Sequence, residues 1–321
     1  MKNNVVTGFE KGLVSIIIPT HNRADLICET LESIRKQSYK KIEVIVIDDH
    51  SKDGTLEAVK AYIKENELDN IQVFTNRGKG ACAARNMGID NSNGDYIQFF
   101  DDDDLMFEEH IEKKVRAIIE HGCDYSTCDY SFFDNETGGC LGHKVISNIG
   151  DNCASRLLTL SFPTPCFLCK RDVILSVGYW NEDVKKLQDM AYFHRLYLYD
   201  KKGVPVPEKL FNVRIHGGSM TSNNVASPAG YYNQINALIS IENEWEKCTK
   251  PERKTILKTI HFMKFTVGRN MYKKGFKTQG IYMLIKTALG DIRKSIQIVL
   301  LFFKYKTVHI TFALAADYNK K

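Results

Sequence analysis

The sequence predicts an α/β fold with a mostly parallel sheet flanked by helices, followed by a helical C-terminal extension. Apolar runs such as Val14–Pro19 and Ile42–Ile47 are continuous rather than alternating, as in strands that are buried on both faces. Between these runs lie segments with apolar residues at helical spacing, for example Leu26, Leu31 and Ile34. An alternation of strands and helices is typical of a parallel sheet.

The remaining elements continue this alternation. Helices are predicted over residues 24–37, 54–64, 81–90 and 108–121, and further strands over residues 71–74 and 96–100. Residues 134–139 have the composition of a hairpin turn. From about Ala229 the pattern predicts helices over residues 231–247, 251–272 and 278–289. We therefore expect an α/β domain over residues 1–224 and a helical region over residues 225–321.

The net charge of +5 is divided unevenly along the 321 residues. Residues 225–321 carry 17 Lys and Arg against six Asp and Glu, a net of +11, which leaves −6 for residues 1–224. A basic region of this kind suits an anionic membrane surface, a nucleic acid or no partner at all. Since no motif for contacting bases is present, we do not expect nucleic-acid binding.

The cysteines and the start of the chain indicate a cytoplasmic protein. The nine cysteines are an odd number without a repeated spacing, which favours reduced thiols. Cys166 and Cys169 form a lone C-x-x-C pair, which is too little to predict a zinc site. The first apolar run, the five residues Val14–Ile18 followed by Pro19, indicates a strand rather than a signal peptide.

Four consecutive aspartates, residues 101–104, follow the strand predicted at 96–100 and precede a second apolar stretch. Four adjacent carboxylates repel one another. A solvated acidic patch is one interpretation, but the apolar flanks favour carboxylates that are held together by a cation. Oxygen ligands favour a hard ion, Mn²⁺ or Mg²⁺.

Polar residues also follow the other three predicted strands, over residues 19–23, 48–54 and 76–80. Each loop alone is explained by ordinary turn chemistry. In a parallel sheet, however, the carboxyl ends of the strands meet at one edge, where ligands bind. The joint position of the four loops therefore predicts a binding site at that edge.

Four segments, residues 14–23, 45–55, 83–88 and 94–104, resemble family 2 glycosyltransferases of the GT-A fold. Their sequences are VSIIIPTHNR, IVIDDHSKDGT, AARNMG and GDYIQFFDDDD, in the order and spacing of that family. The resemblance is strong over residues 14–110 and weaker to about residue 222. It implies an enzyme that transfers a sugar from a nucleotide-sugar donor to a hydroxyl of a glycan or lipid-linked acceptor, with inversion and a divalent cation.

The resemblance also implies roles for individual residues. The metal motif falls on Asp101 and Asp103, although Asp102 and Asp104 leave its register open by one residue. His216, in a loop expected to close over the diphosphate, is a third possible metal ligand. The residues expected to bind the nucleotide-sugar are Pro19, Thr20, Asn22, Arg23, Asp48, Asp49, Lys79, Arg85, Asp101 and Asp102. Arg77 is a further candidate, and Lys79 is equally well explained as a solvated side chain.

The catalytic base of the family lies in a Glu-Asp pair, which maps here onto Gln188 and Asp189. The resemblance therefore implies Asp189 as the base, with Gln in place of the usual Glu. Glu182 and Asp183 are the competing candidates. A carboxylate is ionised at neutral pH and can take the proton of the acceptor hydroxyl as the new bond forms.

The apolar run Ile296–Phe303 is too short to span a bilayer and is interrupted by lysines on its C-terminal side. It could pack on the catalytic domain, lie on the inner face of an anionic cell membrane, or form an oligomer contact through the C-terminal helices. A membrane position would suit a lipid-linked acceptor in cell-surface polysaccharide synthesis.

Two other functional classes compete with this interpretation of the whole chain. The first is a non-catalytic scaffold that binds nucleotide-sugars at the membrane, against which the intact aspartates argue. The second is a nucleotide-dependent dehydrogenase, which is excluded because no G-x-G-x-x-G motif follows the first strand.

Overall fold

A computed structural model describes residues 10–146, 162–216 and 227–289. Its strands are β1 (Glu10–Thr20), β2 (Ile42–Asp48), β3 (Ile71–Thr75), β4 (Gly94–Phe99), β5 (Leu105–Met106), β6 (Tyr125–Asp134), β7 (Cys140–Lys144), β8 (Phe167–Lys170) and β9 (Gly203–Ile215). Its helices are α1 (Ile27–Arg35), α2 (Thr55–Glu65), α3 (Ala81–Asn91), α4 (His110–His121), α5 (Arg171–Val177), α6 (Gln188–Leu198), α7 (Pro228–Glu246), α8 (Arg253–Lys273) and α9 (Lys277–Leu289). The predicted α/β class and the helical C-terminal region are confirmed.

The strands of the described chain form one sheet in the order β3-β2-β1-β4-β8-β6-β9-β5, with β7 paired to β6. Strands β3, β2, β1 and β4 run parallel to one another, as the sequence predicts for the first half of the chain. Helices connect these strands, because a parallel pair needs a long crossover.

The second half of the sheet differs from the prediction, since the sheet as a whole is mixed rather than mostly parallel. Strand β8 is antiparallel to both β4 and β6, and β5 is antiparallel to β9. The hairpin predicted over residues 134–139 is present and joins β6 to β7. Of the antiparallel pairs among the described residues, only β6 and β7 are joined by a short turn; the others bring together strands that lie far apart in the sequence.

The core of the parallel half lies on either side of β1 and β2. Every residue of β2 is buried, as are Val14 to Thr20 of β1. Helix α3 packs closely on β1 at Gly88, where an added Cβ would lie 2.2 Å from Ile17 Cγ2. The glycine of the A-A-R-N-M-G motif is therefore required by helix-strand packing.

The carboxyl ends of β1, β2 and β3 are joined by main-chain hydrogen bonds just beyond the strands. Asp49 N donates to Thr20 O at 2.8 Å, and Asn76 N donates to Asp48 O at 2.8 Å. The polar loops that follow these strands therefore begin side by side, as predicted.

The described residues fall into two compact units. The first contains residues 10–146, 162–183 and 195–216, and the second contains residues 184–194 and 227–289. In the second unit Ser227 caps the N-terminus of α7, since its hydroxyl accepts a hydrogen bond from Gly230 N, and Pro228 lies in the first turn. Glu242 of α7 pairs with Lys264 of α8 and lies 3.1 Å from His261.

Within the described part of the chain, no helix is both long and apolar enough to cross a bilayer. The apolar run Ile296–Phe303, with its three possible positions, lies outside the described residues. The boundary expected at residue 224 stays a prediction.

Candidate active site

Asp48 lies at the end of β2 and is 3% exposed. Its Oδ2 accepts a hydrogen bond from Ser51 N at 3.2 Å. Its Oδ1 is buried and receives no hydrogen bond from any described residue. Because a buried acceptor without a donor costs free energy, this oxygen is suited to an N–H group of a ligand.

Asp49, the next residue, is held by the loop after β3. Its carboxylate accepts hydrogen bonds from Asn76 Nδ2 at 2.8 Å and from Gly80 N at 2.8 Å. Its main-chain O lies 2.7 Å from His21 Nδ1. Asp49 therefore ties together the three loops that follow β1, β2 and β3.

The segment expected to contact the nucleotide continues from β1 into a tight loop. Pro19 and Thr20 are buried at the strand end. Asn22 has a φ of 53°, a left-handed conformation that asparagine tolerates better than most residues. It receives a hydrogen bond from Lys52 N on its Oδ1, and its own N donates to Ser51 Oγ. This double contact fixes the loop against the loop after β2.

The first aspartate of the acidic run is paired with a buried arginine. Arg85 of α3 is 5% exposed, and its Nη2 lies 3.1 Å from Asp101 Oδ1. The Arg85 guanidinium also stacks over the Trp180 ring, 4.6 Å from its centroid. Trp180 is held to α3 in turn, since its N donates to Asn86 Oδ1 at 2.8 Å.

Asp102 and Asp103 face the loop after β1. Arg23 lies 3.5 Å from an oxygen of each carboxylate, and His21 N donates to Asp102 at 3.2 Å. Burial, and next the Asp103 carboxylate, raise the pKa of Asp102 to about 7. Crowded carboxylates of this kind are stabilised by positive charge.

Asp104 points into the protein rather than toward the rim. It is 3% exposed, and its Oδ1 accepts a hydrogen bond from Arg214 N at 3.0 Å. Burial, and next the Asp101 charge, raise the pKa of this carboxyl well above its usual range. Thr30 Oγ1 lies within hydrogen-bond distance of the main-chain oxygens of both Asp102 and Asp104.

Arg214, near the end of β9, is the functional residue that the sequence analysis missed. It is 5% exposed, and its Nε donates to Asp103 O at 2.8 Å. Its two terminal nitrogens donate to Glu29 at 2.8 Å and to Asn135 at 2.5 Å. Because the planar guanidinium of Arg214 is also held by Glu29 and Asn135, it keeps the main chain of the acidic run in one position. The signal in the sequence that could have identified Arg214 is its position two residues before His216.

His216 follows β9, and its Nε2 lies 3.0 Å from Asp103 Oδ2. No cluster of three or more His, Cys, Asp or Glu suited to a metal occurs among the described residues. Mg²⁺ and similar ions, however, are often bound by one or two protein ligands together with substrate phosphates and water. The Asp103–His216 pair beside Asp101 and Asp102 fits a cation bound in that way.

The other cationic candidates and the acidic pair lie at the surface. Lys79 and Arg77 are exposed in the loop after β3. Glu182 accepts a hydrogen bond from Asn86 Nδ2 at 3.0 Å, and Asp183 is exposed with its N bonded to Asn181. All four remain candidates for contact with a ligand.

Asp189 lies in the first turn of α6 and is half-buried. It belongs to the second compact unit, whereas residues 10–146 and 162–183 belong to the first. Leu187, two residues before Asp189, has a φ of 54°, which is a left-handed conformation. Helix α6 therefore starts directly after a left-handed residue. A carboxylate in the first turn is favoured by the helix dipole in any case.

Comparison with known proteins agrees with this geometry. The family model described as "Glycosyl transferase family 2" matches residues 15–177. The glycosyltransferase GlyG of Streptococcus pneumoniae is 29% identical over 221 residues, which cover 65% of this chain and 72% of GlyG. TuaG of Bacillus subtilis, named for a proposed part in teichuronic acid biosynthesis, is 36% identical over 38% of this chain and 48% of its own length.

Two solved structures have the same fold at low sequence identity. Staphylococcus aureus TarS (residues 1–349) in complex with UDP-GlcNAc has a TM-score of 0.67 at 22% identity, over 86% of this chain and 79% of TarS. The mannosyltransferase PcManGT of Pyrobaculum calidifontis, in complex with GDP-Man and Mn²⁺, has a TM-score of 0.56 at 17% identity, over 96% and 88% of the two chains. With the family model matching half of its length, this chain belongs to glycosyl transferase family 2.

Proposed function

We propose that this glycosyltransferase transfers a sugar from a UDP-sugar to a hydroxyl group of a glycan or lipid-linked acceptor, with inversion at the anomeric carbon. The observation that carries the proposal is the buried Oδ1 of Asp48, which receives no hydrogen bond from the described chain. This oxygen is suited to a base with a ring N–H at its pairing edge, which uracil, thymine and guanine have and cytosine lacks. Among these bases, the UDP-GlcNAc in the TarS complex supports uracil.

The diphosphate and metal part of the proposal involves the acidic run. Asp101, Asp103 and His216 would hold Mn²⁺ or Mg²⁺ together with the diphosphate oxygens. When bound, the cation supplies a Lewis acid that neutralises charge on the leaving diphosphate. Arg85 orients the Asp101 carboxylate, and Arg23 offsets the charge of Asp102 and Asp103. The Mn²⁺ in the PcManGT complex supports this choice of ion.

The remaining nucleotide contacts follow the loops after β1, β2 and β3. Pro19, Thr20 and Asn22 would line the base and ribose, Asp49 would keep the loops in register, and Lys79 would face the diphosphate. These assignments rest on the position of the residues at one edge of the sheet.

Asp189 is proposed as the general base. Its carboxylate would accept the proton of the acceptor hydroxyl while the hydroxyl oxygen forms the new bond and the nucleoside diphosphate leaves. This single displacement inverts the anomeric carbon and needs no covalent intermediate on the protein.

We place the enzyme in the synthesis of a cell-surface polysaccharide, in the cytoplasm or on the inner face of the cell membrane. The name of TuaG supports this setting. The basic C-terminal region, with its net charge of +11 over residues 225–321, supports a membrane position.

The experiment that tests the function is donor binding by thermal shift. The full chain is screened with UDP-, GDP-, dTDP- and CMP-sugars, with and without Mn²⁺, as wild type and as Asp103→Ala. We expect stabilisation by UDP-sugars that depends on Mn²⁺ and is lost in the variant. Stabilisation by no donor, in a well-folded protein, would favour the non-catalytic scaffold instead.

A further inference from the structure

Helices α8 and α9 expose a row of cationic and apolar side chains, which we call the α8–α9 stripe. It consists of Lys254, Lys258, Phe262, Tyr272, Ile281 and Tyr282. The four apolar or aromatic members are 44%, 42%, 46% and 56% exposed, in chain order, and both lysines are exposed.

Helical spacing places the α8 members of the stripe on one face. Residues 254, 258 and 262 are four apart and lie on one face of α8, which Tyr272 extends at its C-terminal end. Helix α9 approaches this end closely at Gly280, where an added Cβ would lie 2.6 Å from Tyr272 N. Ile281 and Tyr282 follow Gly280 directly on α9.

The stripe is not needed to hold the helices together. The opposite side of α8 carries the buried side chains that pack within the second unit, among them Ile256, Ile260, Val267 and Met271. Truncating a buried side chain of this kind costs stability, whereas the exposed phenylalanine and isoleucine contribute little to the fold. Exposed apolar side chains that occur together with lysines are suited to a partner outside the fold.

The positive charge of this region indicates which kind of partner binds the stripe. Residues 253–289 contain nine Lys and Arg and no Asp or Glu. A second copy of the same face would bring like charges together, and residues 290–321 carry six Lys and Arg against two Asp, a net of +4. Neither complements the stripe, so its partner carries negative charge.

We infer that the α8–α9 stripe docks on an anionic lipid bilayer. Phe262, Ile281 and the tyrosines enter the boundary between headgroups and acyl chains, while the lysines contact phosphate groups. Nucleic acid fits less well, because bases stack on aromatic rings and an aliphatic Ile281 offers no such surface. This inference deepens the proposed membrane position by naming its surface, and it does not depend on which sugar is transferred.

The test is co-sedimentation of the full chain with vesicles of phosphatidylcholine alone and of phosphatidylcholine with phosphatidylglycerol. We expect binding to the anionic vesicles only, weakened by added salt. Each lysine near an anionic surface contributes about fivefold in affinity, so the double variant Lys254→Glu/Lys258→Glu should bind about 25-fold more weakly or worse. The double variant Phe262→Ser/Tyr282→Ser should also lose binding to the anionic vesicles, both with added salt and at low salt.

Matched controls are available in the first unit. Lys60 and Lys64 of α2 are a second exposed pair of lysines four residues apart, and Lys60→Glu/Lys64→Glu changes the net charge equally. Ile119 of α4 is 64% exposed, and Ile119→Ser matches the loss of an exposed apolar group. Both controls should bind vesicles like wild type. Equal losses in the control and stripe variants would overturn the inference, because net charge alone would then explain binding.

Two further outcomes complete the test. Failure of the wild type to bind anionic vesicles, or binding to RNA without binding to vesicles, would overturn the inference.

A thermal shift with UDP and Mn²⁺ on the same samples separates this inference from the proposed function. Stripe variants that fold should keep this shift while losing vesicle binding, whereas a wild type that binds vesicles without any shift would overturn the proposed function alone.

Discussion

Arg214 Nε donates a hydrogen bond to the main-chain oxygen of Asp103 at 2.8 Å, across 111 residues of sequence. Through this bond the end of β9 sets the position of the acidic run, and two residues later His216 lies 3.0 Å from the Asp103 carboxylate. The guanidinium also stacks over Phe133 and reaches Glu29 of α1. Arg214 therefore positions the proposed metal ligands without being one of them.

Replacing Arg214 by lysine should weaken the combined binding of UDP and Mn²⁺ by tenfold or more. Lysine keeps the charge but loses the planar fork that engages three partners at once, and hydrogen bonds to a charged group contribute about 1.5–3 kcal/mol each. Calorimetric titration of UDP in the presence of Mn²⁺ measures the effect. Arg116→Lys, at a 58% exposed side chain on α4, is the control. Unchanged affinity in a folded Arg214→Lys protein would show that the acidic run holds its position without this residue.

Asp48→Asn should reduce the affinity for UDP by about tenfold to 100-fold, with little change in thermal stability in the absence of nucleotide. The amide is similar in size, but it removes the charge from the buried oxygen that is proposed to accept the uracil N–H. Titration with UDP, and with GDP as a second probe, measures the loss and any change in preference. Asp69→Asn, at an exposed position before β3, should bind like wild type. Equal affinity of wild type and Asp48→Asn would remove this residue from base recognition.

The periodicity of the sequence was sufficient to predict the first half of the sheet and the rim at its edge. Strands β1 and β2 are continuous apolar runs, and each of β1 to β4 is followed by polar turn residues, so parallel pairing and a common edge could be expected. The mixed second half of the sheet could not be predicted in this way. Strand β9 contains Pro205 and Pro207, and its pairing with β6 is interrupted by register shifts. Its burial pattern has no regular alternation over its 13 residues.

The long-range contacts of individual side chains could not be predicted from the sequence. Arg85 was expected to contact the diphosphate or the base, and its guanidinium lies between Trp180 and Asp101. Nothing in the A-A-R-N motif specifies either partner, since Trp180 lies 95 residues away in the chain. A direct contact between Arg85 and the nucleotide stays a prediction.

His110, which is fully buried, should contribute stability that is lost as the pH falls. Its Nδ1 lies 3.0 Å from Leu210 O, and the Lys114 ammonium lies 3.2 Å from its Nε2. Burial, and next the Lys114 charge, hold the pKa of His110 well below its usual range. The unfolded chain therefore binds a proton first as the pH falls through about 6.5, and stability is lost below that point.

Urea denaturation of wild type and His110→Gln at pH 8 and pH 5.5 isolates this contribution, which should be a loss of about 1.4 kcal/mol in the difference between the two proteins. The comparison is needed because the raised pKa values of Asp102 and Asp104 act in the opposite direction in both proteins. In His110→Gln this contribution to the pH dependence should disappear, although the variant is less stable at both pH values. His121→Gln, at an exposed position on the same helix, should keep the wild-type dependence. The same pH dependence in wild type and His110→Gln would mean that other groups cause the acid destabilisation.

The choice among the three candidate bases can be made with isosteric variants. Asp189→Asn should lower kcat by about 10²- to 10⁴-fold, because the amide cannot accept the proton of the acceptor hydroxyl. Donor binding should be unaffected, so the affinity for UDP with Mn²⁺ should equal that of wild type. A donor whose transfer to acceptor can be followed, chosen from the thermal-shift screen, provides the assay.

Glu182→Gln and Asp183→Asn are the matched controls for Asp189→Asn. Glu182 is hydrogen-bonded to Asn86 of α3, so its amide variant keeps an acceptor for that contact and should retain most of kcat. Asp183 is exposed, and its variant should retain most of kcat as well. The pH profile adds a second criterion, since the acidic limb of the wild-type kcat profile should be missing from the residual activity of Asp189→Asn. A large loss of kcat in Glu182→Gln or Asp183→Asn, with Asp189→Asn active, would transfer the role of the base to that residue.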